Sequence, residues 1–333
     1  MPVRVVHVGL GPVGAAIARQ VATRKGLQLV GGIDIDPAKA GRDVGDVIGL
    51  GRQLRVKVSP EPAKALKAAR AHVAVLSTGS TLASVMPQIE QLLKARVAIV
   101  STSEELAYPI RSTLRLWKRI DQLARRAKVA VLGTGINPGF VMDVLPLLLT
   151  TPCERVDAIV VNRVIDARAR RLPFQQKVGA GLTRAQFKAQ VKDGSVRHVG
   201  FTQSIQMLAD AMGWRLDRVT EEVKPRFASE TVASEFLAVD PGFVSGIIQD
   251  AAGYKDGMAI VRLHLEAYLG APESYDSILI EGSPRLSCTI PGGIHGDAGT
   301  AAIVVNCIPR VLAASPGLRT MRDLPIPGFY AGH

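Results

Sequence analysis

Two adjacent carboxylates, Glu104 and Glu105, stand in the stretch STSEELAYP at residues 101–109, after a run of hydroxyl residues and before an apolar one. A pair placed in this way has two plain uses. Acids suit the first turn of a helix, where they face free N–H groups. A carboxylate partly withdrawn from water has a raised pKa and can exchange a proton with a substrate nitrogen or with water. Other chemistry-bearing residues are sparse. No Cys/His pair has zinc-ligand spacing, so no metal is expected, and neither a GxSxG elbow nor a P-loop occurs. Of the six histidines, His7 and His72 read as strand packing or edge residues, His264 as sheet surface and His333 as terminal. His198 in VRHVGF and His295 in GGIHGD sit in glycine-flanked turns where a pocket could form. Arg163, Arg168, Arg170 and Arg171 could clamp a substrate carboxylate, or could line a solvated or intersubunit surface.

The elements that would position these groups begin with VRVVHVG at residues 3–9, an apolar, β-branched run as expected of a strand buried on both faces. GLGPVG follows at once and AAIARQVATR then reads as a helix. Gly9, Gly11 and Gly14 suit a tight turn, close backbone approach to a pyrophosphate and close helix–strand packing. Pro12 and Val13 open the helix, whose N-terminus offers free N–H groups and partial positive charge to phosphates. The second strand, LQLVGGID, ends in Asp34, where a carboxylate would accept hydrogen bonds from the adenosine ribose hydroxyls. Asp34 and Asp36 repel a 2′-phosphate, whereas Lys39 and Arg42 offset that repulsion, so NAD(P)H is expected, with a lean to NAD and NADP tolerated.

HVAVLST (72–78), a helix near 81–95, RVAIVST (96–102), a helix near 110–127 and KVAVLGTG (128–135) continue the alternation. The pattern is that of a Rossmann-like, doubly wound parallel sheet. Ligands of such sheets bind beyond the carboxyl ends of the strands. STGS (77–80), STSEE (101–105) and GTGINPG (133–139) all fall there, which brings Ser77, Thr78, Gly79, Ser103 and Asn137 into the expected cofactor set.

From about residue 154 the pattern changes. RVDAIVVNRVID reads as a strand, helices follow near 183–193 and 202–213, and residues 243–290 read as an antiparallel meander with turns at 253–255 and 271–272. The expected organisation is a nucleotide-binding domain over 1–150, an α+β substrate and dimerisation domain with a largely antiparallel open sheet over 151–295, and a C-terminal helix with a Pro-rich tail over 296–333 returning to the first domain.

Composition closes off other classes. The net charge of +12 is spread along helical segments such as KALKAARAH and RLWKRIDQLARRAK, with aromatics at only 5%, so it reads as solvated helix faces and no nucleic-acid partner is expected. No apolar stretch reaches the roughly 20 residues that span a bilayer, and Asp143 and Pro146 interrupt the nearest, so no membrane association is expected. No export signal is visible, and three cysteines without metal spacing fit reduced thiols in a cytoplasm.

The longer strings are the specific ones. GGIDIDPAKAGRDVGD, STSEE, GTGINPGFVMD, RVIDARARRLPFQQKVGAG, RHVGF and GDAGTAAIVVNCIPRVLAASPGLRTM, together with GLGPVG, resemble the 2,4-diaminopentanoate dehydrogenase family and its relatives, the NAD(P)-dependent amine dehydrogenases. The resemblance runs over nearly the whole chain. It implies reductive amination of a ketone or aldehyde with ammonia, or the reverse deamination, by a homodimer. It carries the family's catalytic glutamate onto Glu104, with Glu105 as the register alternative and otherwise a first-turn acid facing solvent. Ile136, Phe140, Val141, Phe174 and Thr300 would then line a mostly apolar substrate pocket, while His198 and the arginines keep open a diamino acid substrate with a carboxylate to hold. Dihydrodipicolinate reductase, whose N-terminal domain type is shared, is not matched in the region of residues 163–181, which has no histidine. A reductase of another small polar substrate and a catalytically silent nucleotide sensor remain the alternatives.

Overall fold

The computed structural model describes every residue except His333. The chain divides into two compact units: Met1–Phe140 with the C-terminal stretch from His295 onward, and Val141–Ile294.

The first unit is a seven-stranded, wholly parallel sheet. Its strands are β1 (Val3–Val8), β2 (Leu27–Ile33), β3 (Val58–Ser59), β4 (Val73–Leu76), β5 (Ala98–Ser101), β6 (Ala130–Gly133) and a C-terminal strand, Gly317–Arg319. In space they run C-terminal strand, β6, β5, β4, β1, β2, β3. Helices α1 (Pro12–Thr23), α2 (Val44–Val47), α3 (Pro62–Ala69), α4 (Leu82–Lys94) and α5 (Leu114–Ala127) join the strands, and the C-terminal helix Gly296–Ala313 packs on α1 and β5. Val6, Ala74, Ile99 and Val131 of the sheet share a core with Leu82, Ile89 and Leu92 of α4 and Ile120 of α5. Both faces are apolar, which is why these strands read as unbroken runs rather than alternating ones. The two outermost strands are the ones the sequence pattern does not single out; the Pro-rich tail thus holds a strand before it becomes irregular.

The second unit is built on a six-stranded mixed sheet flanked by α6 (Val144–Leu149), α7 (Leu172–Lys177), α8 (Arg184–Asp193) and α9 (Phe201–Ala211). Its strands are β7 (Arg155–Asp166), β8 (Arg218–Phe227), β11 (Val244–Lys255), β12 (Met258–Tyr268), β13 (Tyr275–Ser283) and β14 (Leu286–Pro291); a separate two-stranded ribbon pairs β9 (Val232–Ala233) with β10 (Ala238–Val239). The order β14-β13-β7-β12-β11-β8 corrects the expected meander. β7 lies between β12 and β13, parallel to the first and antiparallel to the second, so residues 271–272 belong to a crossing loop and not to a hairpin. The β11–β12 hairpin does exist, but its turn is Asp256–Gly257, with φ of 52° and 77° as a tight two-residue turn requires. Gly253, which had suggested the turn, lies inside β11: a Cβ there would meet Ile205 of α9 at 2.8 Å and Leu216 at 3.0 Å. α9 packs against β11 and β12. The division between units falls at Phe140, ahead of the sequence-based boundary, because α6 packs on β13 of the second unit.

Candidate active site

In the first unit, the glycine loop takes its shape from contacts that no side chain would allow. Gly9 has φ of +88°, and a Cβ there would lie 2.6 Å from the Ser77 carbonyl oxygen. A Cβ on Gly14 would strike the Gly9 carbonyl oxygen. Around Gly11, by contrast, no atom comes within 4 Å of a Cβ position. Gly11 caps α1 with no side-chain hydrogen bond, Pro12 fills a first position that needs no N–H, and Val13 is half-buried behind it. This leaves an open approach to the positive end of a helix, which fits a pyrophosphate.

Asp34 follows β2 directly. Its Oδ2 accepts the Leu10 N–H at 2.7 Å and the Lys39 ammonium at 3.0 Å, and its Oδ1 accepts the Asp36 N–H at 2.9 Å. Burial alone would raise its pKa; the Asp36 N–H, Lys39 and the Leu10 N–H outweigh that and hold it below the usual carboxylate range. His7, on β1 and therefore inside the sheet rather than at an edge, is fully buried, and neither ring nitrogen has a hydrogen-bond partner among the described residues. Burial pushes its pKa down to about 4, against smaller opposing effects of Gly9 and Asp34.

The loops at the carboxyl edge are tied to one another. Ser77 Oγ donates to the Gly9 carbonyl at 3.0 Å, Thr78 Oγ1 donates to Gln88 at 2.6 Å, and Gly79 leaves room for Ser84. Ser103 is buried, its hydroxyl spent on the Ser80 carbonyl at 3.0 Å. Ile136, in the loop after β6, donates its N–H to Thr300 Oγ1 of the C-terminal helix at 3.2 Å. Beside it Asn137 is buried, its Oδ1 without a hydrogen-bond partner among the described residues, and Phe140 is half-buried.

Glu104 and Glu105 lie in a single 3-10 turn, Glu104–Leu106, and α5 begins only at Leu114, so they do not open that helix. Their environments differ. Glu105 Oε2 accepts the N–H of Leu82, the first residue of α4, at 2.8 Å. Its backbone N–H donates to the Ser80 carbonyl at 3.1 Å, and its carbonyl accepts the Trp117 indole at 3.4 Å. Glu105 is thus a capping acid, but for a helix that precedes it in sequence, which corrects its expected solvent-facing role. Glu104 is half-buried at the head of the turn. Downstream, Tyr108 is buried and its hydroxyl accepts a hydrogen bond from Arg322 at 2.8 Å.

The remaining expected residues lie in the second unit. Val141 is fully buried. Phe174 of α7 is half-buried, with the Arg170 guanidinium 4.1 Å from its ring centre. His198 is fixed through its backbone: its N–H donates to Gln249 Oε1 at 2.7 Å and its carbonyl accepts from Gln249 Nε2 at 2.8 Å. The same Gln249 Nε2 reaches Glu221 at 3.0 Å. The imidazole meets Phe201 edge-on at 5.8 Å, and its Nδ1 has no hydrogen-bond partner among the described residues. Burial, then Lys177 and Arg163, and more weakly Arg170, push its pKa down to about 3, so it is neutral at ordinary pH. Arg163 is 3% exposed and lies 2.9 Å from Asp276, without hydrogen-bond angles at its Nε; it also donates to the Ile294 carbonyl at 2.7 Å. Arg168 is not part of this group: it pairs with Asp166 at the surface. Lys177, which the sequence reading did not single out, belongs to it; a basic residue three positions after Phe174 was the available signal.

A family model for the 2,4-diaminopentanoate dehydrogenase C-terminal domain matches residues 140–333. A 2,4-diaminopentanoate dehydrogenase of Acetoanaerobium sticklandii is 33% identical over 339 residues, covering 99% of this chain and 95% of that protein. An amine dehydrogenase of Streptomyces virginiae is 25% identical, covering 96% and 95%. The structure of an amine dehydrogenase from Mycobacterium smegmatis superposes with a TM-score of 0.90 at 26% identity, covering 100% of this chain and 99% of that one. With a family model matching residues 140–333 and a relative 33% identical over 99% of its length, the chain belongs to the 2,4-diaminopentanoate dehydrogenase family and is an NAD(P)-dependent oxidoreductase.

Proposed function

We propose that the protein is an amine dehydrogenase that interconverts a small ketone or aldehyde, with ammonia, and the corresponding amine, Glu104 handling the protons. The observation that carries this reading is the division of labour at the carboxyl edge of the sheet. Glu105 caps α4 with its carboxylate, whereas Glu104 is half-buried at the head of the same turn, at the end of β5 where ligands of such sheets bind, and is the carboxylate assigned to the reaction. Gly9, Gly11 and Gly14 with the start of α1 would hold the pyrophosphate, and Asp34 the ribose, with NAD preferred and NADP tolerated. The bound nicotinamide supplies or accepts the hydride.

The chemistry asks for a base because ammonia is mostly ammonium near neutral pH. The Glu104 carboxylate takes one proton from ammonium, freeing the lone pair to attack the carbonyl carbon. The alkoxide so formed takes a proton from the new ammonium nitrogen to give the carbinolamine, and the Glu104 acid then gives its proton to the carbinolamine hydroxyl, which leaves as water. Its negative charge then stabilises the iminium that is reduced to the amine. In the reverse direction it activates the hydrolytic water.

A second reading, a diamino acid substrate, is favoured by the basic side chains of the second unit: the Arg170 guanidinium stacks on Phe174, and Arg170 and Lys177 both bear on His198, a placement of positive charge suited to a substrate carboxylate. A homodimer working in the cytoplasm completes the proposal. Ammonia-dependent NADH oxidation, run with small ketones, aldehydes and amino-substituted keto acids, tests it. Turnover without ammonia would make the protein a reductase of another substrate, and nucleotide binding without turnover would make it a sensor. A preference for keto acids selects the second reading.

A further inference from the structure

The turn after β2 holds its charges in an unusual balance. Asp36 Oδ1 accepts the Ala38 N–H at 2.9 Å, and the Asp36 carbonyl accepts the N–H groups of Lys39 at 3.0 Å and Ala40 at 3.2 Å. This Asx-type turn folds the segment back on itself. Lys39 Nζ consequently stands 3.0 Å from Asp34 Oδ2 and 3.4 Å from Asp36 Oδ2. One ammonium thus offsets two carboxylates where the adenosine ribose would be read. Alone, those carboxylates would oppose a phosphorylated ribose by like-charge repulsion.

The ammonium is also the movable member of the group. Its side chain is 24% exposed and ends a flexible stem, whereas the Asp34 side chain is 10% exposed. Asp34 keeps the backbone N–H groups of Leu10 and Asp36 whichever way Lys39 turns. Arg42, three residues on, is exposed, and its guanidinium makes no hydrogen bond or ion pair among the described residues.

Building on the cofactor reading above, we infer that Lys39 is the residue that admits NADP to a site whose carboxylates otherwise select NAD. With NAD it remains on Asp34 and Asp36; with NADP it turns to the 2′-phosphate, and Arg42 supplies a second cation from the rim. A carboxylate-bearing site thereby takes both cofactors, without an arginine in place of Asp34.

The test is equilibrium binding of NADH and NADPH, read by fluorescence, to the wild-type protein, Lys39→Met and Lys39→Arg at low and moderate salt. Lys39→Met removes a charge-assisted hydrogen bond and exposes the phosphate to both carboxylates. NADPH affinity should therefore fall about 10- to 100-fold, while NADH affinity changes by less than about threefold. Lys39→Arg should retain NADPH binding, and wild-type affinity for NADPH should fall more steeply with salt than that for NADH. Equal losses for both nucleotides in Lys39→Met, no loss for either, or a wild-type protein that binds NADH and not NADPH would overturn the inference. A wild-type protein that binds neither would overturn the cofactor reading itself.

Discussion

Glu104 and Glu105 are adjacent in sequence; the structure gives Glu105 to the start of α4, and Glu104 is the residue proposed to handle protons. Glu104→Gln keeps the shape of the side chain and removes the proposed base. Turnover should fall about 10²- to 10⁴-fold with NADH affinity nearly unchanged, measured by steady-state kinetics beside a nucleotide titration. Glu105→Gln should instead cost about 1 kcal/mol of stability by weakening the cap of α4, with kcat within about threefold of the parent. Reversed results would show the catalytic register to be off by one. The pair was legible as a candidate because strand-end hydroxyl residues mark the ligand edge of such a sheet. The cap was not: the partner of Glu105 is Leu82, and only the parallel alignment of β4 and β5 brings them together. The same holds for Lys177, whose pattern in sequence is that of any helical lysine, and for Arg168, which the fold turns away to Asp166.

Elements are legible where their pattern is long and unambiguous. The five central strands of the first sheet each carry a run of β-branched and aliphatic residues, and each is found. Val58–Ser59 and Gly317–Arg319 are too short to show any period, and they exist because an open sheet edge recruits them. The insertion of β7 between β12 and β13 is a tertiary choice, since nothing in the residues of a strand names its neighbour across a long connection. Glycines mislead in the same way, because one residue type serves turns and close packing alike. Gly253→Ala should overpack the contact with Ile205 and Leu216 and cost about 1–3 kcal/mol. At Gly257 nothing lies within 4 Å of a Cβ, but φ is +77°, so Gly257→Ala should cost about 1 kcal/mol through backbone strain alone. Urea denaturation of the two variants checks both. A Gly253→Ala protein as stable as the parent would mean that α9 yields more readily than its packing implies.

For the whole molecule, the two units give pH an uneven grip. His7 belongs to the first unit and has a folded pKa of about 4; His198 belongs to the second, at about 3. Both are depressed by burial from an ordinary value of 6.5, so each contributes stability that is fully present above that value. As pH falls below it, the unfolded chain takes up protons that the folded chain refuses, and stability declines until the folded pKa is reached. For the fully buried His7 the loss between pH 6.5 and 4 is on the order of 3 kcal/mol. His198 is half-buried and works in the same direction with a smaller effect. The depressed carboxylates Asp34, Asp43 and Asp121 add to the loss only at the acid end of this window, as pH nears their ordinary value of 3.8, while Glu221 and Asp276 of the second unit, raised by burial, act in the opposite direction. His7→Leu removes the titrating ring and its two unpartnered nitrogens at nearly constant volume. The first unit of that variant should therefore lose much less stability than the parent between pH 6.5 and 4. Two units need not unfold together, so the measurement is hydrogen exchange followed by mass spectrometry, read on peptides of β1 and β4 at a series of pH values after correction for the intrinsic exchange rate. Parallel losses in His7→Leu and the parent would assign the acid sensitivity of the sheet to groups other than this histidine. A flat profile in the variant beside a falling one in the parent would make His7 the acid-sensitive point of the first unit, two residues ahead of the glycine loop.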